Sequence, residues 1–285
     1  MKLLRYGPPG RERPACLDKD GNIRDLSELI RDLAGDVLLP ESLKKLADLE
    51  REKLPLITDQ PRIGPCIHHV GKLICIGLNY ADHAKETNAE IPVEPVVFLK
   101  ATSAICGAYD NIIIPNHSTH TDWEVELGVI IGKQAKRISK EEALNYVAGY
   151  CIVNDISERH YQRHRTSQWA KGKSCDTFGP IGPWLVTQDE IPDPHKLELW
   201  LEVDGKRYQD SHTQHMIFDV PHLISYLSRF FTLYPGDVIS TGTPAGVGLA
   251  QKPHAIFLQP GQTLHLGITG LGEQKHLCVA EEISH

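Results

Sequence analysis

The sequence of 285 residues predicts a mainly β, α+β fold, and three observations point there. Short apolar stretches bounded by Gly, Pro and Asp recur from Leu73 onward. Only a few intervals carry helical spacing, and they do not alternate with strands in a βαβ rhythm. No Gly-x-Gly-x-x-Gly opens a helix after a strand and no internal repeat is visible, which disfavours Rossmann and TIM-barrel architectures.

Residues 1–65 predict a small N-terminal domain and linker. Helical patterns around Leu26–Leu33 and Ser42–Lys53 precede LPLITDQPRIGP, whose prolines break any regular element. Residues 66–285 predict a second, strand-rich domain. Its strands are expected at LICIG (73–77), PVVFLK (95–100), EVELGVIIG (124–132), VAGYCIVND (147–155), LELWLEVDG (197–205), GDVISTG (236–242) and TLHLGI (263–268). Helical intervals are expected at Lys140–Tyr146 and Val220–Phe231, the second placing Val220, Leu223, Ile224, Leu227 and Phe231 on one face.

Composition narrows the function. The formal charge is -7 and no Lys/Arg run is dense enough to track a phosphate backbone, so nucleic acid is not an expected partner. No apolar run approaches the roughly 18–20 residues that span a bilayer, so no membrane partner is expected either. The N-terminus lacks the apolar stretch of a secretory signal, and the seven cysteines form an odd set with no Cys-x-x-Cys pair. A cytoplasmic protein with reduced thiols is expected.

Three carboxylates stand out. In Glu124-Val125-Glu126-Leu127-Gly128-Val129 the strand period of two puts Glu124 and Glu126 on one face and Val125, Leu127 and Val129 on the other. Alternation alone fits the wet face of a strand better than a pair of metal ligands. Asp155 adds a third acid at the end of an apolar run, where a charge is costly unless paired or bound to a cation. Three acids with no Cys/His cluster suit a hard divalent ion, Mg2+ ahead of Mn2+ or Ca2+.

Elsewhere His83 and Glu86 lie three apart and face the same way on a helical turn, which suits a general base with its orienting carboxylate or a solvated surface pair. Lys171 and Lys173 both offer positive charge for a developing anion, and spacing does not choose between them. The segment Ser240–Gly248 is glycine-rich and follows a strand, so it is either an anion-binding turn or a tight loop.

Taken in order, NYADHAKE, WEVELGVIIG, NDISERHYQ, WAKGKSCDTFGP and TGTPAGVG resemble the fumarylacetoacetate hydrolase family, in the branch of acylpyruvate hydrolases and diketo-deoxy sugar acid hydrolases. The resemblance covers about residues 71–270. It implies a mixed β-sandwich or β-roll domain, a homodimer, and Mg2+ or Mn2+ on Glu124, Glu126 and Asp155. The water-activating pair then falls on His83 and Glu86, in a segment that often acts as a lid, and the catalytic lysine on Lys173. Substrate-binding positions fall on Arg159, Gln162 and Thr243. His160 and the turn His212-Thr213-Gln214-His215 depart from the family pattern.

The expected reaction is hydrolysis of a carbon–carbon bond in a small 2,4-dioxo acid with release of a pyruvate-type product. Oxaloacetate decarboxylation, oxo-acid isomerisation or hydration and ureidoglycolate lysis are alternatives on the same site. A catalytically inactive ligand-binding member is the non-enzyme alternative.

Overall fold

The computed structural model describes residues 1–166 and 168–282. A ten-stranded mixed sheet forms its centre. Its main path runs Ile23–Asp25, Arg13–Leu17, Lys2–Tyr6, Gly179–Thr187, Val147–Asn154, Val125–Ile131, Val238–Ser240, Leu73–Gly77 and Val96–Lys100. A five-stranded sheet, ordered Lys206–His212, Glu198–Val203, Thr263–Ile268, Gly272–Ala280 and Ile112–Ile114, packs on one face of it. Val125, Leu127 and Val129 share a core there with Leu199, Leu201, Leu264 and Leu266. The mixed, mainly β architecture matches the expectation.

The helices are α1 (Pro40–Ala47), α2 (Ala81–Glu86), α3 (Arg159–His164), α4 (Ala170–Lys173) and α5 (Val220–Phe230). Helix α5 follows the sequence closely: the Asp219 carboxylate accepts from the His222 amide at 2.8 Å as its N-cap, and Val220, Leu223, Ile224 and Leu227 are buried. The other helical expectations need correction. Around Leu26–Leu33 there is a turn, not a helix; Asp25 accepts from the Ser27 amide at 2.8 Å, and Leu26 and Leu33 plug the core under the central sheet. Apolar spacing there records two plugs and not a helical face. The Ser42–Lys53 pattern splits into α1, which starts on Pro40, and a 3-10 turn at Arg51–Lys53. Lys140–Tyr146 holds only a 3-10 turn, Ala143–Tyr146.

Residues 1–65 contribute three strands to one edge of the central sheet, with Leu3 opposite Leu185. Met1, Leu3, Leu33 and Leu38 share a core with Ile130, Ala148, Cys151 and Val153 from the sheet centre. Six of the seven cysteines are buried, Cys175 is half-buried, and all are free thiols. Among the described residues no helix is long and apolar enough to cross a membrane.

Candidate active site

Strand register assembles the acids. Val125–Ile131 and Val147–Asn154 are antiparallel, with Val153 opposite Glu126. Two residues further on, the Asp155 amide donates to the Glu124 carbonyl at 2.9 Å, so Asp155 stands opposite Glu124 on the face that carries Glu126. Ligand oxygens of Glu124, Glu126 and Asp155 all lie within 4.8 Å of one another, and all three residues are buried. This overturns the wet-face reading of the Glu pair. The face is closed by α2, α3 and α4, which line with it a cavity of about 220 Å³.

Cations offset the acids. Lys173 Nζ donates to Glu124 Oε2 and to Asp155 Oδ2, each at 2.6 Å. Arg159 donates through Nη2 to Glu124 at 2.6 Å, through Nε to Asp122 at 2.8 Å and through Nη1 to Gln162 at 3.1 Å. Burial pushes the Glu124 carboxyl up, but Arg159 and Lys173 outweigh it and hold the group well below the usual carboxylate range. Glu126 goes the other way: burial, then Asp155 and Glu124, push its carboxyl well above that range. Burial disfavours the Lys173 ammonium, yet Asp155 and Glu124 win and raise its pKa.

Local packing sets this arrangement. A Cβ on Gly172 would stand 2.4 Å from the Gln162 amide nitrogen and the Glu158 carbonyl oxygen, so only glycine lets α4 sit on α3 and bring Lys173 beside Arg159. Lys171, on the same short helix, points away to Thr166 and is exposed. The geometry thus brings Lys173 and not Lys171 to the acids.

On α2, His83 Nδ1 lies 3.3 Å from Glu86 Oε2, and the Gly246 amide donates to the Glu86 carboxylate at 3.0 and 3.1 Å. Gly246 has φ +106, and a Cβ there would collide with the Tyr208 carbonyl at 1.9 Å. The glycine-rich loop therefore anchors the acid of the dyad. A carboxylate only accepts, so Nδ1 carries the proton, and in the neutral imidazole the lone pair sits on Nε2. His83 lines the same cavity as the acids. Thr243 and Gln162 also line it, although the Thr243 hydroxyl already donates to the Val125 carbonyl at 3.0 Å and accepts from Gln209 at 2.8 Å. His160, His212 and His215 do not line the cavity.

Sequence reading missed several residues. Lys100, whose side chain is fully buried, ion-pairs with Asp155 Oδ1 and donates to the Ile156 carbonyl at 2.9 Å. Asp122 holds Arg159 and accepts from the Gly248 amide at 2.6 Å and the Leu249 amide at 3.0 Å. The Ser240 hydroxyl and the Gly242 amide donate to Glu126 Oε2 at 2.6 and 2.8 Å. Lys100 was findable, since it ends an apolar strand as Asp155 does. Asp122 carries no signal outside the fold, whereas Ser240 and Gly242 open the glycine-rich segment expected as an anion-binding turn or a tight loop.

Three converging buried carboxylates beside a His–Glu pair are an arrangement able to hold a hard cation next to a general base, as in a metal-dependent enzyme. The chain belongs to the fumarylacetoacetate hydrolase family: the family pattern described as "Fumarylacetoacetate (FAA) hydrolase C-terminal" matches residues 72–279. A Burkholderia orbicola protein, provisionally named a hydrolase, is 60% identical over 96% of this chain and 97% of its own length. The solved structure of 2-hydroxyhepta-2,4-diene-1,7-dioate isomerase from Mycobacterium marinum is 30% identical, with a TM-score of 0.77 over 99% of this chain and 100% of that one. Maleylpyruvate hydrolase from Sphingobium sp. SYK-6, solved with manganese(II) and pyruvate, is 27% identical, with a TM-score of 0.82 over the same shares, 99% and 100%.

Proposed function

We propose that the chain is a divalent-metal-dependent hydrolase that cleaves a carbon–carbon bond in a 2,4-dioxo acid of the acylpyruvate or diketo-deoxy sugar acid type. The observation that carries the reading is one cavity lined by the three-carboxylate cluster, by Lys173 and by His83, whose Nδ1 faces Glu86 behind it. Glu124, Glu126 and Asp155 would hold Mg2+ or Mn2+. They fit it: three buried carboxylates converge, and both hydrogen bonds to Glu126 fall on Oε2, leaving Oε1 free to ligate. A bound ion would supply Lewis-acid charge to the oxo-acid oxygens and to the enolate that departs.

The residues of the chain do the rest. His83 takes a proton from water through Nε2 while Glu86 stabilises the imidazolium, and the hydroxide formed adds to the 4-carbonyl. The C3–C4 bond then breaks with its electron pair passing to C3, giving a carboxylic acid and a pyruvate enolate that collects a proton at C3. Lys173 and Arg159 set positive charge beside the developing anion, with Gln162 and Thr243 fixing its orientation. The manganese and pyruvate in the Sphingobium structure support this reading. A homodimer in the cytoplasm completes the proposal.

Isomerisation of a dienol acid is the second reading, favoured by the name of the Mycobacterium marinum neighbour. Incubation with acylpyruvates, oxaloacetate and a 2-hydroxydienoate in Mg2+, with products identified by mass spectrometry, decides. Pyruvate plus the free acid supports hydrolysis; turnover of the dienoate alone, with mass unchanged, replaces it with isomerisation.

A further inference from the structure

We infer that Arg163 selects substrates whose acyl arm ends in a carboxylate, so that the preferred substrate is a dicarboxylic acylpyruvate; this rests on the cleavage reading above. Arg159, Gln162 and Arg163 fall at i, i+3 and i+4 of α3, and all three line the cavity. Arg159 is spent on Asp122, Glu124 and Gln162. Arg163 is exposed and, among the described residues, makes no hydrogen bond or ion pair. The other ionisable side chains of the cavity all have partners: His83 has Glu86, Lys173 bridges Glu124 and Asp155, Arg159 holds Glu124, and Glu126 accepts from Ser240 and Gly242. Arg163 is therefore the one unpaired cation on the cavity wall among the described residues.

Position adds the chain length. Four residues of helix rise about 6 Å, which sets Arg163 one turn outward from Arg159 and the acids, about the length of a short acyl arm. The wall carries the apolar Leu78, Phe98, Trp169, Val247 and Leu249 beside Thr87, Gln162 and Thr243. The apolar part suits methylenes, and a carboxylate at the tip of the arm finds the unpaired cation of the wall, the Arg163 guanidinium, which binds it bidentately.

The test uses two arms of equal length, succinylpyruvate and butanoylpyruvate, which differ in a terminal carboxylate against a methyl. Wild-type enzyme in Mg2+ should prefer succinylpyruvate by about 10–100-fold in kcat/KM, mainly through KM, as one charge-assisted contact allows. Arg163→Met should bring the ratio close to one, Arg163→Lys should recover part of it, and about 0.5 M salt should shrink it. Lys171→Met should keep the wild-type ratio. Equal kcat/KM for both compounds in wild type, or a preference that survives Arg163→Met, overturns the inference while leaving cleavage standing. Calorimetric binding of the pair to His83→Ala reads the same preference without turnover. Cleavage of neither compound, with a binding preference that follows Arg163, would sink the reaction and uphold the selectivity; binding of neither sinks both.

Discussion

Lys173→Met removes the cation that bridges Glu124 and Asp155 and isolates what the charge cluster costs. In the folded protein Asp122, Glu124 and Asp155 face Arg159, Lys173 and Lys100, three acids against three cations, while burial and its acidic neighbours push Glu126 toward the neutral form. The substitution leaves three buried acids against two cations, so one negative charge goes uncompensated. Breaking a buried pair on one side costs about 3–5 kcal/mol. For a chain of 285 residues the unfolding entropy is about 0.6 kcal/mol per kelvin, so in EDTA the variant should melt about 5–8 °C below wild type. Saturating Mg2+ stabilises both proteins by mass action, and because it meets an uncompensated negative charge only in the variant it should bind there more tightly, each tenfold in Kd closing about 1.4 kcal/mol of the gap. Turnover should stay lost, because the ion replaces the charge of Lys173 and not its ammonium beside the substrate. Lys171→Met, on an exposed side chain, should melt within about 1 °C of wild type and turn over normally. Calorimetric melting of the three proteins with EDTA and with Mg2+ measures all of this. A Lys173→Met gap that is the same with and without the ion refutes the charge-balance argument, and near-wild-type turnover in the metal-saturated variant refutes the assignment of the lysine.

The other expectations can be checked with standard assays. Glu126→Gln should weaken Mg2+ or Mn2+ binding by calorimetry and abolish turnover, since it removes one of three charged ligands; full activity after EDTA treatment would refute metal dependence. His83→Ala should keep metal affinity while kcat falls about 10²–10⁴-fold, and loss of the ion would make His83 a ligand instead. Lys100→Met should lower metal affinity without touching the dyad, because Asp155 Oδ1 loses the ion pair that fixes the carboxylate; unaltered affinity would leave Lys100 a purely structural charge. Thiol titration at pH 8 should find none of the seven cysteines reacting within minutes, since six are buried and burial pushes the seventh, Cys175, up to about 11; a fast-reacting native thiol would contradict that packing.

What the sequence revealed of the site follows from which distances are local. Glu124 and Glu126 share a face through the period of a single strand, and His83 and Glu86 meet through one helical turn, so both pairs were legible residue by residue. That Asp155 joins the first pair depends on a register, Val153 opposite Glu126, which belongs to two strands at once and is written in neither. The choice of Lys173 over Lys171 likewise came from the family resemblance, because its physical cause is the contact of Gly172 with α3. The same limit explains the false helix at Leu26–Leu33, where the apolar residues pack under a sheet that only the whole chain supplies.

Lys100 shows that one step more was within reach of the sequence. Asp155 drew attention because a charge ending an apolar strand is costly unless it finds a partner, and that argument makes no distinction of sign. Val96-Val97-Phe98-Leu99-Lys100 presents the same pattern with the opposite charge. Two strands that each end on a buried, oppositely charged residue satisfy their desolvation cost most simply by pairing with each other, and Lys100 and Asp155 do so in the folded chain. Burial cost weighed over all apolar strand ends together, for both signs of charge, points to this ion pair from the amino-acid pattern alone and sets Lys100 beside the three carboxylates.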